Sequence, residues 1–217
     1  MIRTSSIRRR TRTAVGAAGL ALAAAALTAC GTQPAHQGAA AVVGGQRISI
    51  AAVDARVAEV RDGVAAAQGQ NGGAHNERAG LARKTVSDLV LDRVIAQALT
   101  DHGLSVTDTE IADGRSADAK ALGGEAQLAR ELLLRQAVPS GGIDAFYRQQ
   151  LGIQKLAAAQ GEDPRTDAGN AAIRKALVAA GTELDIQVNP RYGHWDVQQI
   201  GLADTVDPWL PQNTNPA

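Results

Sequence analysis

The sequence predicts a mostly α-helical domain with a small antiparallel β element that joins its N- and C-terminal segments. Valine and leucine recur three and four residues apart over several long stretches, as expected on one face of a helix. Glycine pairs separate these stretches and mark breaks between helices. Short stretches at residues 40–48 and 184–189 have the composition of strands and lie at opposite ends of the domain.

The first 29 residues have the order of a secretory signal peptide. Five arginines and no acidic residue precede an apolar stretch at 14–29, which is shorter than the ~20 residues that span a bilayer. The stretch ends in Leu27-Thr28-Ala29-Cys30, which resembles the lipobox of bacterial lipoproteins. We therefore expect cleavage before Cys30, lipidation of Cys30, and anchoring on the extracytoplasmic face of the cell membrane. The alternative is an ordinary signal peptide with an incidental cysteine.

Export could use either of two routes. Residues 8–10 are the arginine run expected of a twin-arginine signal, but residues 11–13 fit that signal poorly, which favours the general route.

The charge and composition of the remaining chain exclude several classes of partner. Five of the 22 basic side chains and none of the 22 acidic ones lie in the signal, so residues 30–217 have a net charge of −5. This charge is not typical of a nucleic-acid-binding surface or of a polybasic patch for anionic lipid. The few aromatic residues argue against sugar-binding and base-binding sites. We expect no nucleic acid partner and no small-molecule substrate.

Composition also divides the exported chain into three parts. Residues 30–39 are small and polar, and we predict a flexible tether there. A helical domain is predicted over 40–202. The segment 203–217 contains three prolines and is predicted to be a loose tail.

The domain is predicted to begin with two short strands and a helix. Strands are expected at 40–43 and 47–48, with a glycine turn at 44–46. Ser49 is placed to cap a helix over 50–68, where four valines lie on one face.

The next predicted helix, 77–102, is apolar around most of its surface and should therefore be buried. Gly103 is expected to end it in the left-handed conformation. Thr107-Asp108-Thr109-Glu110 has the pattern of a capping box, in which the first and last side chains satisfy each other's backbone N–H groups. Later helices are predicted to end near residue 120 and to span 125–138, 143–160 and 167–180, the last closed by Gly181.

Three segments, in this order, resemble the SurA/PrsA family of extracytoplasmic chaperones. They are Ala-Val-Val-Gly-Gly-Gln-Arg-Ile-Ser at 41–49, the helix and its exit at 86–111, and Val-Asn-Pro-Arg-Tyr-Gly at 188–193. Gly44 departs from the family, in which asparagine is usual at this turn. The resemblance covers about residues 40–195.

This resemblance implies a helical chaperone domain that is completed by a strand from the far end of the chain. Many members carry a parvulin prolyl isomerase domain before the last helix, but only residues 161–166 are available here. A separate catalytic domain needs at least ~50 residues. We therefore expect a non-enzymatic, ATP-independent chaperone that holds unfolded exported polypeptides. The alternatives are a scaffold or adaptor lipoprotein that binds one folded envelope partner, and a small envelope hydrolase or isomerase.

No residue pattern predicts a catalytic, cofactor or metal site. His36, His75, His102 and His194 are scattered and lack metal-ligand spacing. Glu183, Asp185 and Asp196 are interpreted as polar positions beside a strand rather than as paired catalytic carboxylates. Arg191, Tyr192 and Trp195 form the one polar-aromatic cluster, and we interpret them as a structural corner that holds the last strand.

Overall fold

The computed structural model describes residues 38–68 and 80–204. The predicted signal peptide, Cys30, most of the tether, the glycine-rich break at 69–73 and the tail from residue 205 lie outside these ranges, and the predictions made for them stay predictions.

The described residues confirm a mostly helical fold with a small antiparallel sheet. Their elements are, in order, β1 (Ala39–Val43), β2 (Gln46–Ser49), α1 (Ile50–Gln68), α2 (Leu81–Asp101), α3 (Asp108–Leu122), α4 (Glu125–Gln136), α5 (Ile143–Ala158), α6 (Asp167–Glu183), β3 (Gln187–Val188), β4 (His194–Asp196) and β5 (Gly201–Ala203). Short 3-10 turns precede α5 and β4.

A three-stranded sheet joins the two ends of the domain, as predicted. Strand β1 lies between β2 and β3 and is antiparallel to both. The side chain of Asn189 donates to the Ala39 carbonyl at 3.1 Å, and its backbone N–H donates to Ala40 at 2.9 Å. The β1–β2 turn needs left-handed backbone, and Gly44 supplies it with a φ of 55°. A side chain at Gly44 would also meet Leu184, because an added Cβ would lie 2.8 Å from Leu184 Cδ2.

Helix α2 is the centre of the fold. It packs against α1, α5 and α6, and Val86, Val90 and Val94 are fully buried along it. This confirms the prediction of a buried helix, because neighbouring helices cover α2 on several sides, although Lys84, Ala96 and Thr100 remain exposed. The predicted N-terminal boundary was wrong in part: Gly80 has a φ of 83° and lies before the first helical residue, Leu81.

The α3–α4 hairpin packs on α5 through a second, smaller core. Ile111, Leu128 and Leu132 are buried there together with Tyr147 from α5. The Tyr147 hydroxyl donates to Asp118 Oδ2 at 2.7 Å, which satisfies its polar end. The predicted capping box is present at the start of α3.

Helix α4 ends two residues earlier than predicted. Ala137 adopts a φ of 57°, and its N–H and that of Val138 close the helix on Leu133 and Leu132. The physical reason is Pro139, which disfavours helical backbone at the residue before it.

Helix α6 and the segments after it correct three predictions. Gly181 lies inside α6, which continues to Glu183, so β3 begins only at Gln187. Strands β4 and β5 form a hairpin that the sequence did not predict, and Ala203, predicted as the first residue of the loose tail, lies in β5. An added Cβ at Gly181 would lie 3.6 Å from Val197 Cγ1, so this glycine accommodates the hairpin rather than ending the helix.

Candidate functional site

Two clefts, each of about 340 Å³, lie between α2 and α5. The first cleft opens between the N-terminal half of α2, the last residue of α4, the 137–142 connection and α5. The second cleft lies between the C-terminal half of α2, residues 104–106 and α5. Together they form a surface that runs along most of the α2–α5 contact, and we call it the α2–α5 groove.

A hydrogen bond between Asp92 on α2 and Gln149 on α5 divides the groove. Asp92, Ala145 and Gln149 line both clefts. Gln149 Nε2 donates to the Asp92 carboxylate and also approaches the Asp88 carbonyl at 3.5 Å. The two helices are therefore tied together by side chains where the clefts meet.

Asp92 lies in an unfavourable environment for a charged group. Burial raises the pKa of this carboxyl above its ordinary value, and the negative charge of Asp88 adds to the rise. The hydrogen bond from Gln149, together with the cations Arg56 and Arg148, opposes it. The packing of α2 does not require a charge at this position, so we count Asp92 and Gln149 among the residues that shape the groove.

The wall of the second cleft is held by Lys155 on α5. Its ammonium donates to the Ser105 carbonyl at 2.6 Å and to Glu110 Oε1 at 2.6 Å. Lys155 lowers the pKa of Glu110 to about 2, and the hydrogen bonds that the carboxylate accepts from Thr107 contribute to the shift. The α2–α3 connection is thus fixed against α5, which preserves the shape of the cleft.

The residues singled out in the sequence lie away from this groove or outside the described ranges. Cys30, His36 and His75 belong to the segments without description. His102 follows the end of α2, and His194 lies in β4. Within 38–68 and 80–204, no group of three or more His, Cys, Asp or Glu residues could hold a metal ion.

The acidic residues beside the last strands have local roles. Asp185 accepts a hydrogen bond from the side chain of Gln187 at 3.1 Å. Asp196 Oδ1 accepts from the N–H groups of Gln198 and Gln199 at 2.8 and 3.0 Å, as in an Asx turn. These contacts agree with the interpretation of these residues as polar positions around a strand.

The polar-aromatic cluster has the geometry of a structural corner. Tyr192 and Trp195 are buried in the main core, and the Arg191 guanidinium lies 4.9 Å from the centroid of the Tyr192 ring. Asn189 Oδ1 accepts from the Arg191 N–H at 3.2 Å and stabilises the turn. The cluster therefore fixes the end of β3 against the core.

Sequence reasoning missed Asp92 and Gln149. Asp92 is one of several charged residues of α2 and lies between Asp88 and Arg93, so periodicity does not single it out. Its partner Gln149 lies 57 residues away and is found only in the fold.

In the part of the chain with described structure, no helix combines the length and the apolar character needed to cross a membrane.

A family model described as the SurA-like N-terminal domain matches residues 4–118, just over half of the 217 residues. The match includes β1, β2, α1, α2 and most of α3. No curated protein and no solved structure matches this chain. Domains of this family are chaperone-type modules without a catalytic role and are associated with the binding of unfolded polypeptides. The matched segment and the observed fold together show that the chain belongs to the SurA-like N-terminal domain family.

Proposed function

We propose that this protein is a membrane-anchored extracytoplasmic chaperone that holds unfolded exported polypeptides, without ATP and without prolyl isomerase activity. The α2–α5 groove is the observation that carries the proposal. It combines half-buried apolar side chains such as Leu89, Val138 and Phe146 with polar groups at its edges. An extended segment of an unfolded chain presents the same mixture of apolar side chains and backbone amides.

The short connection between α5 and α6 supports a function without isomerase activity. Only residues 159–166 link the two helices, and a separate catalytic domain needs at least ~50 residues. The sequence also lacks the glycine-rich phosphate loop of nucleotide-dependent machines, which supports holding without ATP.

Holding can be tested by light scattering with a soluble chain that begins at Gly31. This chain retains every described contact. A chemically unfolded exported protein is diluted into buffer, and we expect near-stoichiometric amounts of the soluble chain to suppress its aggregation. An inert protein of similar charge should not do so. Absence of suppression across several clients would refute the chaperone function and favour a search for one folded partner.

A matched pair of variants assigns the activity to the groove. Ala145 lines both clefts, so Ala145→Phe should fill them and weaken suppression. Ala117→Phe, at an exposed position of α3, serves as the control and should suppress aggregation as the unsubstituted chain does. Thermal unfolding of both variants separates a blocked groove from a damaged fold. Equal suppression by the two folded variants would place the activity elsewhere.

The proposed anchor depends on Cys30. The substitution Cys30→Ser should abolish incorporation of a labelled fatty acid and release the protein from the membrane fraction, because two acyl chains are sufficient for stable anchoring. Absence of label on the unsubstituted protein would contradict lipidation.

A further inference from the structure

The charged side chains of the first cleft are already neutralised by neighbours. Lys84 Nζ lies 2.5 Å from Asp88 Oδ2 on the next turn of α2. Arg56 Nη1 lies 3.3 Å from Glu59 Oε2 on α1. Counted with Asp92, the lining holds two cations and two carboxylates, so a bound segment gains little from carrying charge of either sign.

Asp92 contributes the second negative charge of the lining. Its carboxylate accepts a hydrogen bond from the amide of Gln149 instead of pairing with a cation. Contact with an uncharged ligand would remove this carboxylate further from water, which is unfavourable. Asp92 and Gln149 therefore serve as a wall of the cleft rather than as a contact for the client.

Two exposed amide side chains in the same cleft have no hydrogen-bond partner among the described residues. Gln136 is the last residue of α4 and Gln150 lies on α5, and both line the first cleft. Within the described ranges no hydrogen bond is formed by either side chain. A glutamine amide has two N–H donors and one carbonyl acceptor, so it offers the same groups as a peptide bond.

The lining of the same cleft also includes apolar side chains. Leu89, Val138 and Phe146 are half-buried there. The Phe146 ring meets Tyr147 edge-on, with centroids 5.5 Å apart and an interplanar angle of 87°. Its orientation is therefore set before a ligand binds, which reduces the entropy lost on binding.

We propose that the first cleft binds an extended, uncharged polypeptide segment through the backbone of that segment, with Gln136 and Gln150 as its hydrogen-bonding residues. The apolar side chains of the lining accommodate a client side chain, and the two amides bind peptide groups whatever the neighbouring side chains are. This inference rests on the proposed holding function and specifies how clients are recognised. It explains how a small rigid cleft serves many sequences.

The test compares two fluorescent ten-residue peptides with the same uncharged, apolar side chains. In one of them, alternate backbone amides are replaced by esters, which removes N–H donors and keeps the side chains. Binding to the chain from Gly31 is measured by fluorescence anisotropy. We expect the ester peptide to bind more weakly by about tenfold, the loss that two neutral hydrogen bonds produce.

The double substitution Gln136→Ala and Gln150→Ala should weaken binding of the amide peptide and make the two peptides bind equally. The matched control is Gln127→Ala with Gln160→Ala, two exposed glutamines outside the cleft, and it should retain the tenfold difference. Because all four glutamine side chains are exposed, neither double substitution removes buried contacts from the core. Equal binding of the two peptides to the unsubstituted chain would overturn the inference, and so would an equal loss in the control.

Failure of the inference is distinguishable from failure of the proposed function. Aggregation suppression that persists without discrimination between amide and ester overturns backbone recognition and leaves the holding function standing. Peptide binding only after removal of residues 205–217 would assign the cleft to that segment and overturn the inference. A dimer that dissociates on Gln136→Ala and Gln150→Ala would assign the cleft to a second copy and overturn it equally.

Discussion

The fold disfavours the charged form of Asp92, so we expect this residue to lower the free energy of unfolding at neutral pH. Its carboxyl has a raised pKa in the folded state, because α2 and α5 remove it from water, and the Gln149 amide offsets this only in part. Apolar or amide residues would satisfy the same packing at lower cost. The charge is therefore better explained by its position between two clefts than by the stability of α2.

The substitution Asp92→Asn should raise the free energy of unfolding at pH 7, because it removes a desolvated charge. Asparagine can still accept the hydrogen bond from Gln149, so that contact is not lost. The gain should be largest above the folded-state pKa of Asp92. It should shrink as pH falls through that pKa towards the ordinary value of 3.8, since the folded protein then takes up a proton and loses the penalty.

Urea unfolding at several pH values measures this difference. Asp113→Asn, at an exposed position of α3, is the control and should leave stability nearly unchanged. A loss of stability in Asp92→Asn at pH 7 would contradict the account of Asp92 given above.

Glu110 should have the opposite pH dependence. Its pKa is lowered to about 2 by Lys155 and Thr107, so its contribution is fully present above about pH 4.5 and is lost as pH falls towards 2. Glu110→Gln should therefore be less stable than the unsubstituted chain at pH 7, and the two should converge in acid. Urea unfolding midpoints of the two chains from pH 7 to pH 2 test this. A difference between the midpoints that stays constant over that range would contradict a stabilising role for ionised Glu110.

At the scale of elements, the contact between α2 and α5 depends on a missing side chain. Gly152 is buried in α5, and an added Cβ would lie 2.9 Å from Ile95 Cγ2 and 3.1 Å from Leu99 Cδ1. Ile95 is β-branched and has little freedom to move away. The closeness of the two helices, and with it the shape of the second cleft, follows from this glycine.

Two glycine-to-alanine substitutions should have opposite effects on stability. Gly152→Ala should lower the free energy of unfolding by about 1–3 kcal/mol through overpacking. Gly114→Ala in α3 should raise it by about 0.5–1 kcal/mol, because alanine favours helix and its Cβ would lie at an ordinary 3.4 Å from Tyr147 Cδ1. Thermal unfolding with far-UV circular dichroism measures both. Stabilisation by Gly152→Ala would show that the helices can separate at no cost.

The elements differ in how far the sequence predicted them. Helix α1 has the predicted bounds, and Ser49 Oγ accepts from the Ala52 N–H at 3.1 Å as its cap requires. The β4–β5 hairpin was missed because its turn lacks glycine and asparagine, and the left-handed residue is Ile200 with a φ of 53°. A β-branched residue rarely adopts this conformation, so local preference gave no signal for the turn.

At the scale of the whole molecule, the C-terminal segment completes the domain. Strand β3 pairs with β1, and Val188, Tyr192 and Trp195 are buried in the main core. Arg83 on α2 forms an ion pair with Asp204 and donates to the Leu202 carbonyl at 2.9 Å, which holds the β4–β5 hairpin.

A chain from Gly31 that ends at Glu183 should therefore lose cooperative unfolding. Loss of one buried aromatic side chain costs about 3–5 kcal/mol, and total stability of a domain is about 5–15 kcal/mol. A chain that ends at Asp204 keeps every described contact and is the matched control. Calorimetry compares the two, and a cooperative transition in the shorter chain would show that the N-terminal elements fold alone.

The sequence by itself determined those features that depend on neighbours along the chain. The buried character of α2, the capping box at Thr107–Glu110 and the left-handed Gly103 follow from residue spacing within a few turns. The pairing of the two chain ends came from a resemblance to a known family, and the β1–β3 register confirms it. Only the tertiary structure decided that Gly181 continues α6, that β4 and β5 pair, and that Asp92 meets Gln149 between two clefts. These features depend on contacts between residues far apart in sequence, and a groove uses the same apolar residue types as a core, so local periodicity cannot tell them apart.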